Sequence, residues 1–178
     1  MSPALFSEME KTIGPADIFV YDVGIGNLRG ARTQRESLEA GIRLQDNVTR
    51  AQTVAGAVQE SMSRRASGRM IYLAPWAWDR YSDSMSYETA KGAVIAITHA
   101  CAREMARYRI NVNCIVPGFI RTIRPSKIQS ELADRLNSEI PAGRMGEISD
   151  ITDTVLFLAG DSSKYLTGQI LRCTGGAD

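Results

Sequence analysis

The sequence predicts an α/β fold, a parallel sheet covered by helices on both faces in a three-layer αβα arrangement. Three observations carry that prediction. Short apolar runs rich in Ile, Val and Tyr alternate with longer segments of helical periodicity, which is the pattern of βαβ units. No Pro/Ser-rich linker, low-complexity tract or internal repeat interrupts them. The 178 residues fit one domain, 1–178, at about 100 to 200 residues per domain.

Each element follows in order. Pro3–Ile13 reads as a helix closed by Gly14-Pro15. Asp17–Val23 (DIFVYDV) reads as a strand. Asn47–Arg65 sets Val54, Val58 and Met62 on one helix face, with Asn47 suited to the N-cap. Arg69–Ala74 (RMIYLA) is the second strand. Tyr87–Tyr108 carries Ala90, Val94, Ile97, Cys101 and Met105 at three- and four-residue spacing, again one apolar stripe. Ile110–Val116 (INVNCIV) and Gln169–Cys173 (QILRC) are the remaining strands. Between them Ser149 can cap a helix whose Ile151, Val155 and Leu158 face the sheet, and Gly160 is placed to end it.

Charge and cysteine content narrow the function. There are 21 Lys+Arg against 20 Asp+Glu, a net charge of +1, with a sequence pI near 7.7. A nucleic-acid or anionic-membrane binder would normally carry a basic stripe, so neither partner is expected. The longest stretches without a charged side chain, 92–102 and 110–120, fall short of the ~18 to 20 residues of a membrane span. The start, MSPALFSEMEKT, has no apolar core of a secretory signal. Cys101, Cys114 and Cys173 are too few and too widely spaced for a disulfide framework or a metal knuckle. A reducing, cytoplasmic setting is expected. His99, the single histidine, has no convergent partners for a metal or a catalytic triad, and no metal is expected.

Tyr87-Glu88-Thr89-Ala90-Lys91 is a Y-x-x-x-K motif within SYETAKGAVIAITHACAREMARYRINVNCIVPGFIRT, and this block resembles the second half of the short-chain dehydrogenase/reductase family. The likeness continues through GRMGEISDITDTVLFLAGDSSKYLTGQILRCTGGAD to the closing Gly-Gly. Upstream, Gly68-Arg69-Met70-Ile71 resembles a strand entry, Asn47-Val48-Thr49 the family's Asn-x-Thr, and DIFVYDVGI its fourth strand. The resemblance thus covers nearly all of this chain but only the later part of a Rossmann-like fold, a truncated one. It implies that the family's first strand and Gly-rich T-G-x-x-x-G-x-G turn, which hold the dinucleotide pyrophosphate, have no room before Asp17. Gly24-Ile25-Gly26-Asn27-Leu28-Arg29-Gly30 reads as a strained Gly-rich turn in preference to a phosphate cradle, because its third glycine is one position late for G-x-G-x-x-G. No cofactor is therefore expected to bind this chain by itself.

The resemblance also implies a site. In the family the Tyr hydroxyl exchanges a proton with the substrate oxygen, the Lys ammonium lowers the phenol's pKa, and an Asn holds a water in a proton relay. Here these are Tyr87, Lys91 and Asn47. Residues i and i+4 share one helix face, so the Tyr-Lys pair can point into one cleft. A neighbouring cation stabilises the phenolate and draws its pKa down from ~10. The family's orienting Ser falls at the end of the fifth strand, where Ala74-Pro75 have no hydroxyl. Ser82, Ser84 and Ser86 read as solvated turn residues. Pro117, Gly118 and Thr122 match the loop that meets the nicotinamide end of the cofactor, here a remnant. Trp76, Trp78 and Tyr81 form an aromatic group that is either a substrate wall or a plug over exposed core. Arg121, Arg124 and Lys127 are basic and lie where the family closes a lid over substrate, although a solvated loop face is the commoner outcome.

The first reading of these departures is a truncated relative that transfers no hydride independently. Its Tyr87 and Lys91 would do non-redox acid/base work on a small molecule, a dehydration, isomerisation or cyclisation at a carbonyl or hydroxyl, or be vestigial. A second reading is a non-catalytic partner of a full-length relative or of itself. A third is an NAD(P)-dependent ketone/alcohol oxidoreductase completed by another chain. Because the family's first strand lies beside its fourth, Asp17–Val23 should be an open sheet edge, covered by a partner strand or by residues 27–45. A homo-oligomer built on the helices 47–65 and 87–108 is expected.

Overall fold

The computed structural model describes residues 3–22, 34–74, 85–121 and 133–177. Among them four strands form one sheet: β1 (Ile18–Asp22), β2 (Gly68–Leu73), β3 (Ile110–Pro117) and β4 (Ile170–Cys173). They pair in the order β1-β2-β3-β4, and each pair is parallel. Parallel neighbours require crossovers, and helices supply them. Helix α1 (Pro3–Ile13) precedes β1, and α2 (Gln34–Arg65) joins β1 to β2. Helix α3 (Met85–Met105), continued by a 3-10 turn at Ala106–Tyr108, joins β2 to β3. Helices α4 (Ala133–Glu139) and α5 (Ile148–Ala159) lie between β3 and β4.

The pleat sorts the strand residues into two cores. Phe19 of β1, Met70 and Tyr72 of β2, and Val112, Cys114 and Val116 of β3 pack against Phe6 of α1, Val54, Val58 and Met62 of α2, and Val94 of α3. The intervening residues Ile71 and Ile115 pack against Ile151 and Leu158 of α5 on the opposite face. Both faces are therefore covered, as the sequence predicts. Each fully buried side chain of this kind contributes ~1.5 to 3 kcal/mol relative to exposure. Gly68 admits the end of α2 to the sheet, since a Cβ there would collide with the thioether of Met62. Asn111 and Asn113 are buried polar residues in β3, and both are satisfied. Asn111 Nδ2 donates to Lys164 O at 3.2 Å, and Asn113 Nδ2 donates to Leu166 O at 2.9 Å.

Several expectations are corrected. Helix α2 begins at Gln34, so Asn47 lies inside it and is no N-cap. No Pro breaks 34–46, and Leu38, Glu39, Ala40 and Leu44 are good helix formers. Of the segment 27–45 expected as an edge cover, residues 34–45 are the first turns of α2, and 27–33 lie outside the described residues. Helix α5 is capped by Glu147, not Ser149: Asp150 Oδ2 accepts the backbone N–H of Glu147 at 2.7 Å. Gly160 ends that helix with extended backbone, φ −89° and ψ 173°. Helix α1 closes as expected, with Gly14 at φ 90° and its N–H donating to Glu10 O at 3.0 Å. Strand ends differ from expectation by one residue or so, and helix α4 is not among the predicted elements.

Candidate active site at the carboxyl edge of the sheet

In a parallel sheet all strands end on one side, and each crossover helix starts there. That edge gathers Asp22, Ala74, Pro117 and the first turns of α3. Helix geometry brings the predicted residues to the same level. Asn47 lies 65 − 47 = 18 residues above the lower end of α2, and Tyr87 lies 105 − 87 = 18 residues above the lower end of α3. At ~1.5 Å per residue both stand ~27 Å up their helices. Strand β2, of 6 residues, rises ~20 Å. Asn47 and Tyr87 therefore stand a little above the strand ends, with Lys91 one turn below Tyr87.

Lys91 is half-buried, and its Nζ lies 3.9 Å from Glu88 Oε2. The side chains of Asn47, Ser86 and Tyr87 lie outside the described residues, as do Trp76, Trp78, Tyr81, Ser82, Ser84, Thr122, Arg124, Lys127 and the glycines of 24–30. Ala74 is buried and its N–H donates to Ile115 O at 2.9 Å, so the end of β2 offers a methyl group where the family has a hydroxyl.

The Pro117-Gly118 bend is held by close backbone packing. Gly118 N–H donates to Cys173 O at 2.9 Å, and a Cβ on Gly118 would stand 2.8 Å from Thr174 Cα. Beyond it Gly146 N–H donates to Phe119 O and Arg121 N–H to Gly146 O, each at 2.8 Å. The closing Gly175 (φ 67°) and Gly176 (φ 86°) turn the chain back, and Ala142 N–H donates to Gly175 O at 2.9 Å. Asp150 clamps Arg144 through both oxygens, at 2.7 and 3.0 Å. That fork and the Glu147 N–H hold its carboxyl down at about 2.

Asp22 is a residue that sequence reasoning missed. It ends β1 beside Leu73, and burial raises its pKa. An acid closing an otherwise apolar strand run was the available signal. His99 is exposed on α3, and the described residues hold no group of three His, Cys, Asp or Glu placed to bind a metal. No helix among them is long and apolar enough to cross a membrane.

Gly118 and the ends of β2 and β3 lie at this edge. Among the described residues the sheet ends at β1. A strand, Gly-rich turn and helix N-terminus beyond it, which would cradle the pyrophosphate, have no counterpart among the described residues.

The all-parallel order, the two helical layers and the Tyr-x-x-x-Lys turn at the strand ends are of the short-chain dehydrogenase/reductase class. Residues 2–178 match the family described as enoyl-(acyl carrier protein) reductase, and the chain belongs to the short-chain dehydrogenase/reductase family. It is 33% identical over 163 residues to the (2S)-[(R)-hydroxy(phenyl)methyl]succinyl-CoA dehydrogenase subunit BbsD of Thauera aromatica, covering 92% of this chain and 65% of that protein. It is 32% identical over 181 residues to the 3-oxoacyl-[acyl-carrier-protein] reductase FabG of Staphylococcus aureus, covering 97% of this chain and 70% of the reductase. A gluconate 5-dehydrogenase from Burkholderia cenocepacia, solved with NADP and tartrate, superposes with TM-score 0.79 at 28% identity, over 98% of this chain and 69% of that one. The chain thus spans roughly two thirds of its relatives' lengths.

Proposed function

We propose that this chain is the substrate-side part of an NAD(P)-dependent ketone/alcohol oxidoreductase whose dinucleotide-binding strands are supplied by another chain. One observation carries the reading: the dehydrogenase and reductase above match it over 92 to 97% of its length, a span that includes the Tyr87-Lys91 turn and the Gly118 bend. Nothing comparable favours the non-redox acid/base reading. In this role Tyr87 exchanges a proton with the substrate oxygen, Lys91 stabilises the phenolate, and Asn47 positions a water that links the lysine to solvent. Ala74 leaves the substrate oxygen one hydrogen bond poorer, typically ~1 kcal/mol net. The same reading makes β1 an interface. Ile18 and Val20 are exposed on the face that α5 leaves bare, and among the described residues β1 is an edge strand. A partner strand there, and self-association through α2 and α3, are both part of the proposal, in a cytoplasmic setting.

The test joins the amino-terminal part of the S. aureus reductase that precedes its match to this chain. NADPH binding is followed by fluorescence and turnover with a panel of ketones. The chain alone should show no saturable micromolar binding, and the fusion should bind. Tyr87→Phe and Lys91→Met in the fusion should each lower turnover by the ~100- to 10,000-fold that general acid/base groups supply. A folded fusion that binds NADPH and turns over as fast after Tyr87→Phe as before it would sink the assignment of Tyr87.

A further inference from the structure

At the opposite edge, where the strands begin, lies an open groove of about 1030 Å³ that the reaction does not use. It is bounded by the α2–β2 turn, the 3-10 turn before β3 and the loop from α5 to β4. Three cations line it, Arg69, Arg109 and Lys164, against one acid, Asp161. In this chain of net charge +1 such a concentration of positive charge is local. A second hollow of about 460 Å³ adjoins it through Ala106 and Thr167 and adds His99 and Arg103.

The cations are incompletely engaged. Arg69 has a largely buried side chain, with Nη1 donating to Gly68 O at 3.2 Å and Nη2 3.6 Å from the exposed Asp161 Oδ1. Its buried Nε has no acceptor. A buried donor left unpaired costs ~1 to 3 kcal/mol, more when charged. Among the described residues Arg109 and Lys164 form no ion pair with any acid. The backbone of Lys164 is pinned on both sides, by its N–H to Asp161 O at 3.1 Å and by Asn111 Nδ2 on its carbonyl.

Two helix ends fix the walls of the groove. Among the described residues only Ala66 (φ 50°) and Arg109 (φ 59°) are non-glycine residues with positive φ, and both border this groove. Arg109 is the left-handed C-cap of the 3-10 turn, and Ala66 follows the last residue of α2. Ala66 gives the groove an exposed apolar part, and Tyr165 stands fully exposed at its rim.

From this geometry we propose that the groove is a second binding site, for a small phosphomonoester that carries a planar ring. The dianionic phosphate meets the fork of Arg69, the guanidinium of Arg109 and the Lys164 ammonium. The ring stacks on Tyr165. Two guanidiniums and an ammonium match the three oxygens and double charge of a phosphate better than a single carboxylate.

The probes are phenyl phosphate, inorganic phosphate and benzoate, titrated into the labelled full chain and followed by amide shifts. Phenyl phosphate should bind tightest and move residues 66–69, 109–111 and 164–167. Arg109→Gly, which keeps the backbone conformation without strain, and Lys164→Gln should each weaken it by about tenfold, the loss of one charge-assisted hydrogen bond. Arg107→Gln should not, because Arg107 stacks on Tyr108 and does not line the groove. Tyr165→Ser should bring phenyl phosphate down to inorganic phosphate. Benzoate binding as tightly as phenyl phosphate would overturn the phosphate assignment. Shifts confined to the carboxyl edge, or equal losses in Arg107→Gln and Arg109→Gly, would overturn the site.

Discussion

Asn113 accepts the backbone N–H of Gln169 at 3.0 Å and thereby holds the residue that leads into β4. Its amide nitrogen donates to Leu166 O at 2.9 Å, so one buried side chain satisfies two backbone groups that no strand partner reaches. Asn113→Leu would leave both backbone groups unpaired. The urea midpoint should fall by an amount equivalent to ~2 to 4 kcal/mol with the slope unchanged. An unshifted midpoint would contradict this account of the β3–β4 junction.

Two glycines should respond with opposite sign. Gly56 lies inside α2 with open space where an alanine would place its methyl, so Gly56→Ala should stabilise by ~0.5 to 1 kcal/mol. Gly118→Ala must push against the Thr174 backbone at 2.8 Å and should lower the melting temperature. Calorimetric melting of the two variants beside the parent chain checks both signs.

Acid titration separates two aspartates. Asp150 has a folded pKa of about 2, below the 3.8 of a free Asp, because Arg144 and the Glu147 N–H favour its charged form. Its contribution is present above pH 3.8 and is lost as pH falls toward 2, so Asp150→Asn should flatten the stability profile in that window. Asp22 keeps an exposed edge at the end of β1, and partial desolvation raises its pKa, so its ionisation opposes folding above pH 3.8. Asp22→Asn should therefore stabilise the chain at about pH 7 and have little effect at about pH 3. A neutral-pH loss in Asp22→Asn would mean that the carboxylate has a partner.

Assembly should show at β1. Met9 and Ile13 of α1 and Ile18 and Val20 of β1 are exposed, and among the described residues β1 is an edge strand. Such an edge is a template for pairing. Light scattering at micromolar protein concentration should report a dimer or larger species, and Val20→Lys should shift it toward monomer. A stable monomer with fast amide exchange along Ile18–Asp22 would contradict the covered edge.

Much of the architecture was legible because it is repeated locally. The apolar runs at 17–23, 69–74, 110–116 and 169–173 each signal a strand without reference to the others, and the Val54, Val58, Met62 stripe signals the inner face of α2. The candidate site was legible for a different reason. Tyr87 and Lys91 are four residues apart in one helix, so their shared face needs no tertiary information. Asp22 escaped notice because an acid at a strand end looks like any solvated carboxylate in its local sequence.

The sequence by itself determined the alternation of strand and helix, the apolar faces and the Tyr-Lys turn, since these depend on propensity and periodicity within a few residues. The tertiary structure decided where α2 begins and that Arg69, Arg109 and Lys164 line one groove. The cap of α5 lies between these, a choice among nearly equal neighbours that Asp150 settles by answering both Glu147 and Arg144. The groove joins residues from 66 to 167, and only the closing of a parallel sheet brings such distant segments to one edge.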